Sequence, residues 1–196
     1  MAADGRRARI LIAGFGSVLH GDDGFGVEVV QRLQATAPWP EGVGIIEVGT
    51  GGIHLVQRLL DGYDLLVVVD AVRRDRPAGT LYLLEAEVEN LEQWSEEQRR
   101  EFLTDMHYAE PSRALVMAKA LKTLPAKTLI LGCQPERCDD LTIGLSPAVA
   151  ASVPAAISQI EAIVREWYDH GATALLSRAG TENGGSVVSP GCSIPL

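Results

Sequence analysis

The residues best suited to chemistry stand just behind apolar runs. His20, Asp22 and Asp23 follow the run 9–13 (RILIA), Asp70 ends the run 64–70 (DLLVVVD), and His107 follows a polar stretch behind 80–85 (TLYLLE). In an open parallel sheet, ligands bind beyond the carboxyl ends of the strands, so these positions are the first to weigh. Asp23 immediately precedes a helical pattern, where a carboxylate can cap backbone N–H groups. A single cap suffices, and a second carboxylate must sit beside a like charge, so one of Asp22 and Asp23 is spare for a ligand. Asp70 either serves the turn amides around residues 71–74, pairs with Arg73 or Arg74, or works as a carboxylate at the tip of a buried strand. His107, ahead of a helical pattern, reads as a surface histidine unless it folds over the same sheet edge. In that case Asp23, Asp70 and His107 form a mixed oxygen and nitrogen set with open positions. Such a set suits a borderline divalent ion, nickel, zinc, iron and manganese alike. His20 is the alternative imidazole, His54 reads as a packing residue, and His170 stands at the boundary of a tail.

The elements that must position these groups follow from hydrophobic periodicity. Run 9–13 leads through the glycine loop 14–16 into a helix over 25–38, with Phe25, Val29, Val30 and Leu33 at helical spacing. Strand 43–48, the turn 49–52 and helix 53–60 repeat that order. The unbroken apolar middle of 64–70 predicts a strand covered on both faces. Pro77 and Gly79 then turn the chain into 80–85, an expected antiparallel edge strand. Residues 87–105 are acidic and irregular, with a short helix over the sheet margin. Helix 112–121, strand 128–132 and a long amphipathic helix 147–168 follow, the last with Ser146 as its cap and Pro147 at its first position. The expected fold is a three-layer α/β sandwich: a mostly parallel, twisted sheet of about five strands with helices on both faces. Residues 1–170 make one domain, and 171–196, rich in Gly, Ser and Pro, read as a flexible tail.

Composition narrows the function classes. The chain has 196 residues, 17 Lys and Arg against 26 Asp and Glu, and a net charge of −9, which argues against a nucleic-acid partner. The longest purely aliphatic run is 65–69, too short for a membrane span, so a soluble protein is expected. Arg6 and Arg7 ahead of an apolar stretch superficially resemble a signal peptide, but Gly14 interrupts it and no small-residue cleavage site follows, which reads as cytoplasmic. Cys133, Cys138 and Cys192 are too few, and odd in number, for a disulfide framework; they fit a reducing compartment and receive no role. Ser17 and Ser146 both miss the nucleophile elbow of serine hydrolases. The loop at 14–19 has Leu19 where a dinucleotide fingerprint needs its third glycine, which leaves a nucleotide site poorly supported.

Read together, the segments carry a resemblance. The stretch GFGSVLHGDDGFGVEVV is similar to the opening signature of the hydrogenase maturation endopeptidases, G-x-G-N-x-L-x-x-D-(D/E)-G-x-G. The glycine turn VGTGG, the block VVVDAVRRDRPAGTLYLLE and the block LGCQPERCDDLTIGLSPAVAASVPAAI resemble later family segments in the same order, so the likeness runs from residue 9 to residue 168. Three positions depart from the pattern: Ser17 stands where asparagine is usual, Asp23 is the shorter of the two acids accepted there, and the surroundings of His107 (Tyr108, Glu110, Pro111) match less closely.

The resemblance implies an endopeptidase that removes a C-terminal peptide from the nickel-loaded precursor of a nickel-iron hydrogenase large subunit. That precursor is the implied partner, with no nucleic acid or membrane involved. It also implies that Asp23, Asp70 and His107 are the catalytic and metal-engaging residues, with nickel presented by the substrate rather than held permanently. Three other readings compete: a metal-dependent hydrolase of a small molecule, a phosphate- or nucleotide-binding module built on the loop 14–16, and a non-catalytic nickel-site assembly scaffold.

Overall fold

The computed structural model describes residues 8–36, 38–91, 94–104, 111–138 and 141–171. His107 and most of the expected tail lie outside these. Strand β1 (Ile10–Phe15) leads through a 3-10 turn (Gly21–Gly24) into α1 (Phe25–Ala35). Then come β2 (Val43–Gly49), α2 (Gly52–Leu59), β3 (Leu65–Ala71) and β4 (Leu81–Glu85). The described chain closes with α3 (Glu96–Thr104), α4 (Pro111–Ala120), β5 (Lys127–Cys133) and α5 (Pro147–His170).

The five strands form one sheet in the order β2-β1-β3-β5-β4. β1, β2, β3 and β5 are mutually parallel, and β4 is the antiparallel edge expected from the sequence. It pairs with β5 rather than with β3, its predecessor in the chain. β1 and β3 are buried along their whole length, which explains their unbroken apolar composition. On one face Val29, Val30 and Leu33 of α1 and Val153, Ile160 and Trp167 of α5 join the core with Ile10, Ile12, Leu65 and Val67. On the other, Leu55 and Leu59 of α2 and Ala114 and Leu115 of α4 pack with Leu11, Ala13, Leu66 and Val68. The alternation of side chains along each strand thus feeds two separate cores, one per face.

Helix α5 corrects one expectation. Its 24 residues are long and apolar enough to cross a membrane by length and composition, which a search for uninterrupted aliphatic runs could not register in an alanine-rich segment. One face of it nevertheless packs on the sheet, through Val149, Val153, Ala156, Ile160, Ile163 and Val164.

The strand order also sets the position of the site. The chain moves from β1 outward to β2, then returns to place β3 on the opposite side of β1. Connections leaving the carboxyl ends of β1 and β3 therefore diverge, opening the crevice where ligands bind in open α/β sheets. Gly14 lies opposite Val69 in the β1–β3 register, so the loop after β1 and Asp70 at the end of β3 emerge side by side.

Candidate active site

Two glycines bring the loop after β1 close to the sheet. Gly16 has a φ of 109°, and a Cβ there would lie 1.8 Å from the carbonyl oxygen of Asp23. A Cβ on Gly26 would lie 2.1 Å from the carbonyl oxygen of Val69. Only hydrogen fits at either position, so the first turn of α1 sits directly against the end of β3. Asp23 and Asp70 are thereby carried on backbone segments in direct contact.

The adjacent aspartates have separate environments. Asp22 is 0 % exposed. Its Oδ2 accepts the N–H groups of Glu136 at 2.8 Å and Arg137 at 3.0 Å and the hydroxyl of Ser146 at 2.9 Å, while Oδ1 accepts the Ser146 N–H at 2.6 Å. This carboxylate is consumed in tying the 3-10 turn to the β5–α5 connection. Ser146 stands at the start of α5 without a side-chain cap bond. Its expected capping role is not realised; the hydroxyl donates to Asp22.

Asp23 caps no helix either, since neither the 3-10 turn nor α1 has a side-chain cap bond. Its Oδ2 accepts the Ser17 N–H at 2.6 Å, the one hydrogen bond reaching this carboxylate among the described residues. Burial pushes its pKa above the usual carboxylate range, against the lowering effects of the Ser17 N–H and the nearby His20. A partly dehydrated carboxylate with a single donor is suited to a cation, which offsets lost hydration more fully than one amide does. Ser17 contributes through its backbone, while its hydroxyl accepts the Leu19 N–H at 3.3 Å, so the asparagine usual at this position is not needed to hold Asp23.

Asp70 is 5 % exposed at the carboxyl end of β3, opposite Gly132 of β5. Some of the turn amides it was weighed against are served by another residue. Gln134, buried behind β5, accepts the Arg74 N–H at 2.7 Å and the Tyr82 hydroxyl at 3.2 Å through its side-chain carbonyl. Its backbone N–H donates to Thr80 and its carbonyl accepts from Gly79. Sequence reasoning assigned this residue no role; its only signal was a glutamine next to proline after an apolar strand.

The remaining candidates separate in the same way. His54 is exposed, against the expectation of a packing residue, because it faces away from the α2 positions Leu55, Val56 and Leu59 that pack on the sheet. Cys133 is a free thiol buried 3.3 Å from the Ser152 hydroxyl, and burial pushes its pKa up. Cys138 is buried. Among the described residues no three metal-ligating side chains converge, and His107, the third member of the nominated set, lies outside them.

The fold therefore brings the backbone segments that carry Asp23 and Asp70 together at the carboxyl ends of β1 and β3. A family model described as HycI, hydrogenase maturation protease, matches residues 27–163. The chain is 29% identical over 159 residues to the hydrogenase expression/formation protein HupD of Rhodobacter capsulatus, covering 81% of this chain and 72% of that protein. It is 32% identical over 148 residues to HoxM of Azotobacter vinelandii, covering 76% and 68%. The hydrogenase maturating endopeptidase HybD from E. coli superposes with a TM-score of 0.64 at 28% identity, over 81% of this chain and 93% of that one.

Proposed function

The chain belongs to the hydrogenase maturation protease family, peptide hydrolases that process the C-terminus of a hydrogenase large-subunit precursor, and on that footing we propose that Asp23, Asp70 and His107 engage nickel presented by that precursor. The observation that carries this reading is the division of labour between the two adjacent aspartates. Asp22 is saturated by four donors, whereas Asp23 is partly dehydrated and holds one.

In this reading nickel belongs to the substrate and acts first as the recognition determinant. Asp23 and Asp70 supply anionic oxygens from adjacent strand ends, and His107 supplies a neutral nitrogen, a mixture that suits a borderline ion. Nickel held next to the scissile bond also supplies Lewis acidity toward the peptide carbonyl or a water. The protein's own part is to orient the precursor through these ligands. The Ser17 N–H holds Asp23 in place, and the backbone contact of Gly26 on Val69 keeps the two ligand-bearing segments together. Precursors lacking nickel offer these ligands no metal to engage and are not cleaved. The cytoplasmic setting read from the sequence belongs to this proposal.

The test is intact-mass analysis of a cognate large-subunit precursor, nickel-loaded and nickel-free, incubated with the protein and with its Asp23→Asn, Asp70→Asn and His107→Ala variants. Loss of one C-terminal peptide from the nickel-loaded form alone, and only with the unmodified protein, is the expected outcome. An unchanged mass for a verified cognate precursor overturns the reading in favour of a scaffold or a small-molecule hydrolase.

A further inference from the structure

The connection between β5 and α5 meets the loop after β1 through one residue. Thr142 donates its N–H to Leu19 at 2.9 Å and accepts the Gly21 N–H at 2.6 Å, which pairs it in parallel with His20. In extended chain the backbone groups of successive residues point to opposite edges, so those of Leu141 and Ile143 face away from His20. Among the described residues neither makes a hydrogen bond. Their side chains, two positions apart, share a face of the extended chain, and they are 81 % and 83 % exposed. Val18 and Leu19, on the facing loop, are half-exposed. Of the seven large apolar side chains exposed among the described residues, these four border a single bridge, a concentration that marks an interaction surface rather than scattered exposure.

We propose that residues 141–143 form an open strand edge that receives an extended segment of the substrate precursor, seating its apolar side chains against Leu141 and Ile143. This rests on the processing reading and names the surface that serves it. Unpaired backbone donors and acceptors flanked by apolar side chains at alternate positions are satisfied together by another polypeptide strand, through main-chain hydrogen bonds and side-chain contacts. The place is also continuous with the candidate site, since His20 on the other side of the bridge is three residues from Asp23.

The experiment measures both binding and cleavage of the nickel-loaded cognate precursor, by fluorescence anisotropy and intact mass. It compares the protein with the double variant Leu141→Ser, Ile143→Ser and the control Leu60→Ser, Leu121→Ser. The control residues are also exposed but follow α2 and α4, at the opposite pole of the sheet. The 141/143 variant is expected to bind at least about tenfold more weakly and to raise KM by a similar factor, with kcat within about twofold, while the control matches the unmodified protein. Unchanged affinity and kcat/KM in the 141/143 variant of a protein that cleaves overturns the docking edge and leaves the processing reading standing. Binding without cleavage, weakened by the 141/143 substitutions, supports the edge and overturns the processing reading. Neither binding nor cleavage by the unmodified protein overturns both.

Discussion

Ser146 reaches Asp22 twice across 124 residues of chain, donating its backbone N–H to one carboxylate oxygen at 2.6 Å and its hydroxyl to the other at 2.9 Å. With the amides of Glu136 and Arg137 added, a buried anion is held by four donors from one connection. Such bonds are stronger than neutral ones, and the charge makes each unmade bond expensive. Asp22 thereby anchors the turn from which Asp23 projects.

Replacing Asp22 by Asn puts an amide NH2 against at least one of these donors. The expected loss is about 3 kcal/mol or more of folding stability, read as a lower urea midpoint with an unchanged slope. Processing then falls in proportion to the folded fraction; a variant of unchanged stability would contradict the structural role of this carboxylate.

Asp23→Asn is expected to behave oppositely. Because burial raises the pKa of Asp23 in the folded state, the native protein binds its proton more tightly than the unfolded chain does. Stability from this group falls as pH rises from the ordinary value of 3.8 through the raised one, and the deficit is fully present above the raised value. The Asn variant, which can still accept the Ser17 N–H, should unfold at a higher temperature than the unmodified protein at pH 7, with the difference vanishing in acid. Thermal unfolding across pH measures this.

The same shift bears on activity. A carboxylate that engages a cation must be ionised, so processing of the nickel-loaded precursor should decline on acidification at a pH above the usual carboxylate range. A rate profile flat to the ordinary aspartate value would show that Asp23 is not among the groups required.

Gly26→Ala drives a methyl group into the Val69 carbonyl, where a Cβ would lie at 2.1 Å. Separating α1 from the end of β3 is expected to cost about 3 kcal/mol and to move Asp23 away from Asp70. Denaturant unfolding gives the first effect. Processing per folded molecule gives the second, and should drop even at temperatures where the variant is fully folded.

Gln134→Ala removes the acceptor shared by the Arg74 amide and the Tyr82 hydroxyl. The expected cost is about 2 kcal/mol, with hydrogen exchange at the Arg74 amide accelerated far more than in the β1 ladder. Equal protection at both places would mean that Gln134 does not hold the β3–β4 turn.

Much of this molecule was legible in its sequence because the signals are local. The unbroken apolar runs of β1 and β3 declare strands buried on both faces, and Pro77 with Gly79 announces the turn into an antiparallel edge. The ordered blocks of GFGSVLHGDDGFG and its successors pointed to the family that the comparisons bear out. The rule that ligands gather beyond strand ends nominated His20, Asp22, Asp23, Asp70 and His107, and the family resemblance narrowed these to Asp23, Asp70 and His107.

Tertiary structure alone decided what the neighbouring groups do. Nothing local separates Asp22 from Asp23; the distinction arises because Glu136, Arg137 and Ser146 come back from the far end of the chain to saturate one and leave the other. For the same reason Ser146 reads as a helix cap in sequence and is a partner of Asp22 in space. Gln134 was silent because its partners, Arg74 and Tyr82, lie more than fifty residues away. Periodicity and turn chemistry act between residues a few positions apart, whereas hydrogen-bond satisfaction of a buried charge is set by whichever donors the fold delivers, and sequence distance carries no trace of that delivery.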